Sequence, residues 1–462
     1  MQGVVAVILA AGKGTRMKSR LPKVLHQVAG KPMVRHVLEA VQSLGINQQI
    51  LVIGHEAELV KAALGEQVRY AIQAEQLGTG HAVMQAQPLI GEEIKTVLVL
   101  CGDTPLLRAE TLAILLAEHQ QTGAAATVLT ANLTDPSGYG RIIRDAQGLV
   151  ERIVEEKDAS AEEKRVQEIN TGTYCFDKVA LFKALGEISP ANAQGEYYLT
   201  DVLSVLRGAG QKVGAVVAAD PRETYGINSR VQLAEAEKIL RYRKLVRLME
   251  AGVTIIDPAT TFIDDEVEIE PDTIIYPNTI IERGTRIGCE CVIGPGTRIV
   301  ESRIGNRVEI QNSVLLKSLV GDECTIGPFA YLRPGTELAG KNRVGDFVEI
   351  KNSKVGEGSK IPHLAYVGDA TVGRNVNIGC GTITCNYDGV RKWPTRIGDG
   401  AFIGSNTNLV APVEIGANAV TGAGSTITKD VPADSLAVER SRQTVIRDWV
   451  KKKRTDRSAQ HD

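Results

Sequence analysis

The sequence predicts two folded regions of different class, α/β followed by all-β. Three observations carry the prediction. Short apolar runs alternate with helix-like stretches over residues 1–228, an aliphatic residue recurs every six positions from about residue 253, and residues 229–251 between them contain neither Gly nor Pro. The expected organisation is an α/β domain over residues 1–228, a linker helix over 229–252, a β-solenoid over 253–445 and a mobile tail over 446–462.

In the first region Val4–Leu9, residues 50–53 and residues 97–100 read as strands, and residues 32–44 and Ala57–Leu64 as helices. Strand–helix alternation implies three layers around a mainly parallel sheet. Ligands of such sheets sit at the carboxyl ends of the strands. Residues 229–251 mix aliphatics with Lys, Arg and Glu, which reads as one long charged helix, capped by Ser229 and stopped by Gly252.

The second region is a repeat. Ile263, Ile269, Ile275, Ile281, Ile287, Ile293 and Ile299 form one run; Val320, Ile326, Leu332, Leu338, Val344 and Ile350 form another; Ile397, Ile403, Leu409 and Ile415 form a third. A period of six matches neither a helix nor a lone strand. It matches a coil whose short strands each send one aliphatic side chain inward. Gly, Asn and Asp supply the unusual backbone angles of the turns. Three strands of six residues make a coil of about 18, and about ten coils stack on one another. The register slips between Ile299 and Ile304 and between Ile350 and Val355, and residues 385–396 form an insertion. Insertions in solenoids become surface loops, where function concentrates.

Charge excludes some functions. Lys and Arg number 53 against 55 Asp and Glu, a net −2. No global basic field draws the chain to nucleic acid or to an anionic membrane. The seven cysteines form no C-x-x-C pair, so neither a zinc ribbon nor a redox motif is indicated. Free thiols suit a reducing cytosol. The apolar run over residues 4–11 is too short for a membrane span and lacks a basic leader, so a cytoplasmic protein is expected. The run Lys451-Lys452-Lys453-Arg454 reads as a solvated charged tail rather than a nucleic-acid arm.

Directly after the first strand comes Leu9-Ala10-Ala11-Gly12-Lys13-Gly14-Thr15-Arg16-Met17. Small residues there let backbone N–H groups approach an anion. The string is not a Walker loop, and Met17 breaks G-x-G-x-x-G. Taken alone it fits a structural turn as well as a phosphate site, and Asp103 alone fits a turn-capping Asp. Read together with Leu21-Pro22-Lys23, the string resembles the sugar-phosphate nucleotidyltransferases. Gln73-Ala74-Glu75-Gln76-Leu77-Gly78-Thr79-Gly80-His81, Cys101-Gly102-Asp103, Gly138-Tyr139-Gly140-Arg141, Val154-Glu155, Glu168-Ile169-Asn170-Thr171-Gly172 and Gly226-Ile227-Asn228 follow in that family's order.

The resemblance implies a Rossmann-like nucleotidyltransferase domain. Its chemistry joins a phosphate oxygen of a sugar 1-phosphate to the α-phosphorus of a nucleoside triphosphate and expels pyrophosphate. Two anions must meet, so cations and a hard metal are needed. Carried onto this chain, Arg16 and Lys23 are catalytic. Asp103 and Asn228 hold Mg²⁺. Leu9, Ala10, Ala11, Gly12, Lys23, Gln73, Gly78, Thr79, Gly140, Glu155, Asn170 and Asn228 contact the nucleotide-sugar.

One His, His363, lies between residues 253 and 440. A lone His is more often a surface residue or a satisfied core group than a functional one. Its context is Pro362-His363-Leu364-Ala365-Tyr366, with Arg333 and Lys351 upstream. Arg333 and Lys351 are one coil apart, so they are expected to stack about 4.8 Å from each other as a basic column for a sugar phosphate. His363 is expected out of strict register with them, because the repeat slips after Ile350. With an ordinary pKa near ~6.5, a His takes a proton from an attacking amine at neutral pH.

Hexapeptide-repeat acyltransferases use such a His with an acyl-CoA donor. Pro362 to Tyr366 and the loop Asn377-Ile378-Gly379-Cys380-Gly381-Thr382-Ile383-Thr384-Cys385-Asn386-Tyr387-Asp388-Gly389 resemble the bacterial bifunctional N-acetylglucosamine-1-phosphate uridyltransferase/glucosamine-1-phosphate N-acetyltransferases, over roughly residues 4–445. The resemblance implies a left-handed parallel β-helix, against the usual right-handed crossover. It implies acetyl transfer from acetyl-CoA to glucosamine 1-phosphate, then uridylyl transfer from UTP, in a homotrimer with acetyltransferase sites between subunits. His363 is then the general base. Arg333, Lys351, Tyr366 and Asn377 hold the sugar phosphate, and Cys380, Asn386, Tyr387, Ser405, Ala423 and Arg440 line the acetyl-CoA site. Position 380 is Cys where the family usually has Ala. The change is harmless if only its backbone meets the thioester, and no base for an acetyl-Cys route is legible. The alternatives are a single-function nucleotidyltransferase with an assembly or regulatory solenoid, and a non-enzymatic scaffold.

Overall fold

The computed structural model describes residues 2–458. The chain divides into two compact units between Arg243 and Lys244. The first unit is built on β1 (Val4–Leu9), β2 (Gln49–Ile53), β3 (Arg69–Ile72), β4 (Thr96–Cys101), β5 (Ala126–Asn132), β6 (Arg141–Arg144), β7 (Val150–Val154), β8 (Glu168–Asp177) and β9 (Val213–Val217). Seven strands run in the order β9-β5-β8-β4-β1-β2-β3, and the β6–β7 hairpin hangs on β8. Neighbours are parallel except β8, which runs antiparallel to both β4 and β5. The sheet is therefore mainly parallel, as expected, with one reversed strand in its middle.

Helices α1 (Met33–Ser43), α2 (Ala57–Leu64), α3 (Thr79–Ala86), α4 (Ala109–Thr122), α5 (Lys178–Leu185) and α6 (Asp201–Gly208) complete this unit. Both sheet faces are covered. Val5, Val7, Val97 and Val99 belong to one core, and Ala6, Ile8, Leu98 and Leu100 to another. That explains why these strands read as unbroken apolar runs rather than alternating ones. Helix α7 (Arg230–Glu250) contains the division between the units. Ser229 Oγ accepts from the Gln232 N–H at 3.2 Å, and Gly252 past its end has φ +96°.

The second unit is a parallel β-helix of three sheets with 11, 10 and 9 strands, called here the first, second and third faces. Each strand pairs with its counterpart one coil later: Ile263↔Ile281 and Ile281↔Ile299 are examples. The six-residue aliphatics form one continuous buried core. At the slips the coil shortens by one or two residues, so Ile287 pairs with Ile304 and Ile299 with Leu315. The second slip brings His363 into register with Asp346 on the first face. Part of the segment expected to be a mobile tail forms a helix, α8 (Trp449–Ser458). The tail's last residues, 459–462, lie outside the described residues. Among the described residues no helix is long and apolar enough to cross a membrane.

Candidate active sites

In the first unit β1 and β4 are neighbours at the middle of the sheet, and the loops leaving their carboxyl ends meet. Gly102 N–H donates to Leu9 O at 2.9 Å, and Ala10 N–H to Val52 O at 2.8 Å. Gly14 has φ +59°, and a Cβ there would stand 2.7 Å from Lys23 Cβ, so only glycine lets the loop pass the lysine. Lys23 opens a single tight turn in which Leu25 N–H donates to Pro22 O at 2.9 Å. Its ammonium donates to the Asp103 carboxylate, and to Asn228 Oδ1 at 2.9 Å. Asn228 is delivered by a backbone bond from Ile227 N–H to Asp103 O at 2.9 Å.

A cleft beside this trio is lined by Leu9, Ala10, Ala11, Gly12, Lys23, Gln73, Gly78, Thr79 and Asp103, all expected from the sequence. Lys13, Gln76 and Cys101, which lie in the family motifs without an assigned contact, also line it, and so does Glu196, which was not expected. Gln73 Nε2 donates to Gly78 O at 3.0 Å, and Thr79 Oγ1 accepts from Leu199 N–H at 3.0 Å. Next along the chain, Thr200 Oγ1 donates to Glu155 Oε1 at 3.3 Å. Glu155, Gly140 and Asn170 form a second group: Asn170 N–H donates to Gly140 O at 2.8 Å, and Tyr174 Oη to Asn170 Oδ1 at 2.8 Å. Arg16 is exposed, outside the cleft lining.

Burial displaces several groups in this region, Glu155 and Cys101 among them. Burial raises the Glu155 carboxyl above its ordinary value; the Thr200 hydroxyl opposes that, while Asp158, Asp201 and Glu196 reinforce it. Burial pushes the Cys101 thiol up to about 12, so it is protonated at neutral pH. The donor set fits a hard divalent ion. One carboxylate and one amide oxygen converge on a single ammonium, which stands where a cation held by both would be. Mg²⁺ takes few protein oxygens and leaves its other positions to phosphates and water.

In the second unit the expected residues fall into two columns on the edges of the second face. Along the edge it shares with the first face, Asp346 pairs with His363, and their side chains meet with Nδ1 2.6 Å from Oδ1. Running the register of Lys360↔Asn377 on by three residues sets Cys380 over His363. The pairs Ile378↔Ile403 and Ile403↔Thr421 then set Ser405 over Cys380, and Ala423 over Ser405. Arg440 Nη1 donates to Ala423 O at 3.0 Å. Asn377 lies on the first face, opposite Lys360.

Along the other edge Leu332↔Ile350 stacks Arg333 over Lys351, as the 18-residue spacing predicted. Glu349 pairs with Arg333 at 2.6 Å, so a carboxylate the spacing did not show sits against this cationic column. Tyr366 leans along the strand Tyr366–Gly368 until its hydroxyl occupies the space a Cβ on Gly368 would need. Asn386 Nδ2 reaches Tyr366 Oη at 3.4 Å and Asp369 Oδ2 at 2.5 Å. Tyr387 is exposed in the insertion, where it bridges to Lys392. The Lys392 ammonium lies beside Lys351 and holds it below the ordinary lysine value.

Sequence reasoning missed Asp346 and Lys392. The slip after Ile350 was the signal for Asp346, since a 17-residue coil pairs it with His363. Lys392 had no signal beyond lying in an insertion.

Two family profiles match the chain: nucleotidyl transferase over residues 5–221, and the six-repeat bacterial transferase hexapeptide over residues 394–429. Fold and sites thus define a sugar-nucleotide-type nucleotidyltransferase joined to a hexapeptide-repeat transferase of left-handed β-helix class. The chain is 63% identical to "Bifunctional protein GlmU" of Heliobacterium modesticaldum, across 97% of this chain and 98% of that one. It is 61% identical to the protein of that name from Pelotomaculum thermopropionicum, across 98% and 99%. For that from Syntrophomonas wolfei the values are 57%, 95% and 98%. The chain belongs to the bifunctional GlmU family. It is a bifunctional acetyltransferase and uridyltransferase of UDP-N-acetylglucosamine biosynthesis, which sets aside both the single-function and the scaffold alternatives.

Proposed function

We propose that the two reactions are divided between the two sites. Uridylyl transfer belongs to the cleft at Lys23, Asp103 and Asn228, with UTP and N-acetylglucosamine 1-phosphate as substrates and Mg²⁺ as the metal. The observation that supports this best is the convergence of Asp103 and Asn228 on one cation beside a glycine loop. The metal supplies charge neutralisation between the triphosphate and the incoming phosphate. Lys23 and Arg16 offset the remaining charge. Backbone N–H groups of residues 11 and 12 cradle phosphate oxygens. Gln73, Gly78 and Thr79 hold the nucleotide-sugar on one wall, and Gly140, Glu155 and Asn170 on the other.

Acetyl transfer belongs to the β-helix, with acetyl-CoA as donor and glucosamine 1-phosphate as acceptor. The Asp346 carboxylate accepts from Nδ1–H of His363, which leaves Nε2 free to take the amine proton as nitrogen attacks the thioester carbon and the CoA thiolate departs. Cys380, Ser405, Ala423 and Arg440 continue His363's column and line the donor, with Asn386 and Tyr387 from the insertion. Arg333 and Lys351, joined by Lys392, meet the phosphate, while Tyr366 and Asn377 orient the sugar. The two columns lie on separate edges of one face. That supports a homotrimer in which a second copy completes each acetyltransferase site. The free cysteines and the small-molecule substrates fit a cytoplasmic enzyme without nucleic-acid or membrane partners.

The test is a crossed pair of variants in the full chain. His363→Ala is expected to abolish CoA release from acetyl-CoA and to leave pyrophosphate release from UTP intact. Asp103→Ala is expected to do the reverse. Acetyl transfer at near-parent rate in His363→Ala removes the base assignment, and unchanged Mg²⁺-dependent pyrophosphate release in Asp103→Ala removes the metal assignment.

A further inference from the structure

The loop between β1 and α1 carries both cations of the uridylyl-transfer centre on two short turns, Thr15–Met17 with Arg16 and Lys23–Leu25 with Lys23. Each is a single turn closed by its own backbone bonds, and isolated turns hold their geometry poorly. Both turns end on one side chain from the start of α7. Arg230 Nε donates to Met17 O at 3.4 Å, and Arg230 Nη1 lies 3.2 Å from His26 Nδ1. Met17 directly follows Arg16. His26 closes the lysine turn by donating its N–H to Lys23 O at 3.2 Å.

The chemistry of this contact is one-directional. A guanidinium has donors only, so His26 Nδ1 must accept, and the ring proton is assigned to Nε2. The ring is 5% exposed. Burial first, and the Arg230 charge second, keep the imidazole below its ordinary value of 6.5, while the Leu21 carbonyl pulls the other way. A neutral acceptor is therefore maintained at neutral pH. Farther along α7, Glu237 Oε2 accepts from Ala29 N–H at 2.6 Å. Gln232 Oε1 accepts from the backbone N–H of Asn228 at 2.8 Å and so holds the main chain of the residue whose side-chain oxygen receives Lys23. The helix thus grips the loop at Met17, His26 and Ala29.

We propose that Arg230 is a positioning residue for uridylyl transfer, its guanidinium locking the turn that bears Arg16 to the turn that bears Lys23 so that both cations face the reacting phosphates together. The inference rests on assigning Arg16 and Lys23 to that reaction. Arg230 is exposed, so shortening it opens no buried cavity. Its effect falls on placement, and displacements on the order of 1 Å cost up to ~100-fold in rate.

The experiment uses the full chain with Arg230→Met, Arg230→Lys and, as reference, Lys23→Ala. Pyrophosphate release and acetyl transfer are both measured. Arg230→Met is expected to lower kcat for uridylyl transfer about 10-fold or more, with a smaller change in KM for UTP. Arg230→Lys is expected to recover part of the loss, because an ammonium still donates to Met17 O and His26 Nδ1. Acetyl transfer should stay at the parent rate in both. An Arg230→Met enzyme within about twofold of the parent, alongside an inactive Lys23→Ala enzyme, overturns the inference. So does a parallel fall in both activities, which would mark Arg230 as merely structural. An active Lys23→Ala enzyme overturns instead the site assignment beneath it.

Discussion

His363 Nδ1 lies 2.6 Å from the carboxylate of Asp346, its register partner one coil earlier. Both side chains are partly open to solvent, at 53% and 39% exposure. The contact therefore orients the ring rather than stabilising the fold, since exposed ion pairs are worth little.

Removing that orientation should cost acetyl transfer alone. Asp346→Asn keeps the size of the side chain and removes its charge. It is expected to lower kcat for CoA release by about 10- to 100-fold, with pyrophosphate release unchanged. The His363 hydrogen bond holds the Asp346 carboxyl below its ordinary 3.8, so the pairing is present above that pH and is lost only in stronger acid. The parent enzyme should accordingly show no loss from this carboxylate between pH 5 and 8, and an Asp346→Asn enzyme of full activity would remove its role.

Cys380 stands one coil beyond His363 in the same column, where a thiol could invite an acyl-enzyme route. If the donor meets only the backbone of residue 380, Cys380→Ala should keep acetyl transfer within about twofold of the parent. Rapid-quench trapping of acetylated protein should give no adduct. Loss of activity in Cys380→Ala, or an adduct at that residue, would establish a covalent step.

The extent to which these features were legible follows sequence distance. The inward aliphatics of the coils recur six residues apart, and stacking repeats them without long-range information, so the core of the β-helix could be read directly. The β1 loop was legible because its small residues and Lys23 are local. The slip after Ile350 was visible as a broken period, yet its consequence, Asp346 under His363, needs the registered sheet. The reversed strand β8 belongs to pairings that no local pattern specifies. Arg230 meets Met17 across 213 residues, so nothing near either position announces the contact.

Glu155 lends itself to a pH test of stability. Its carboxyl is raised by burial and by three neighbouring carboxylates, so the folded state binds its proton more tightly than the unfolded state does. Stability then falls as pH rises from the ordinary 4.5 through the raised folded value, because ionisation is penalised only in the folded chain. Glu155→Gln removes that penalty while keeping an oxygen for Thr200. Its Tm should exceed the parent's by a margin that grows from pH 4.5 toward neutrality, and its uridylyl transfer should weaken. A Tm difference independent of pH, followed by scanning fluorimetry, would contradict the assignment.

Lys392 offers a sharper separation of binding from chemistry. It comes from the insertion at residues 385–396, where the loop braces itself: Trp393 Nε1 donates to Asp388 Oδ2 at 2.7 Å, and the Arg391 guanidinium lies 3.8 Å from the Trp393 ring centroid. The braced loop carries the Lys392 ammonium to Lys351, whose affinity for its proton falls below the ordinary 10.5 chiefly for that reason, with Arg333 adding to the effect. Lys351 and Lys392 held together against mutual repulsion, with the Glu349-paired Arg333 stacked beside Lys351, suit a phosphate dianion, which relieves the repulsion when it binds. A contact made equally in ground and transition states changes KM and not kcat. Lys392→Ala should therefore raise KM for glucosamine 1-phosphate about 3- to 10-fold at neutral pH with kcat nearly constant. Freed of its neighbour, Lys351 regains affinity for its proton, so the alkaline rise in KM should move to higher pH in the variant. Unchanged KM, or an alkaline limb that stays in place, would show that Lys392 does not share the phosphate subsite.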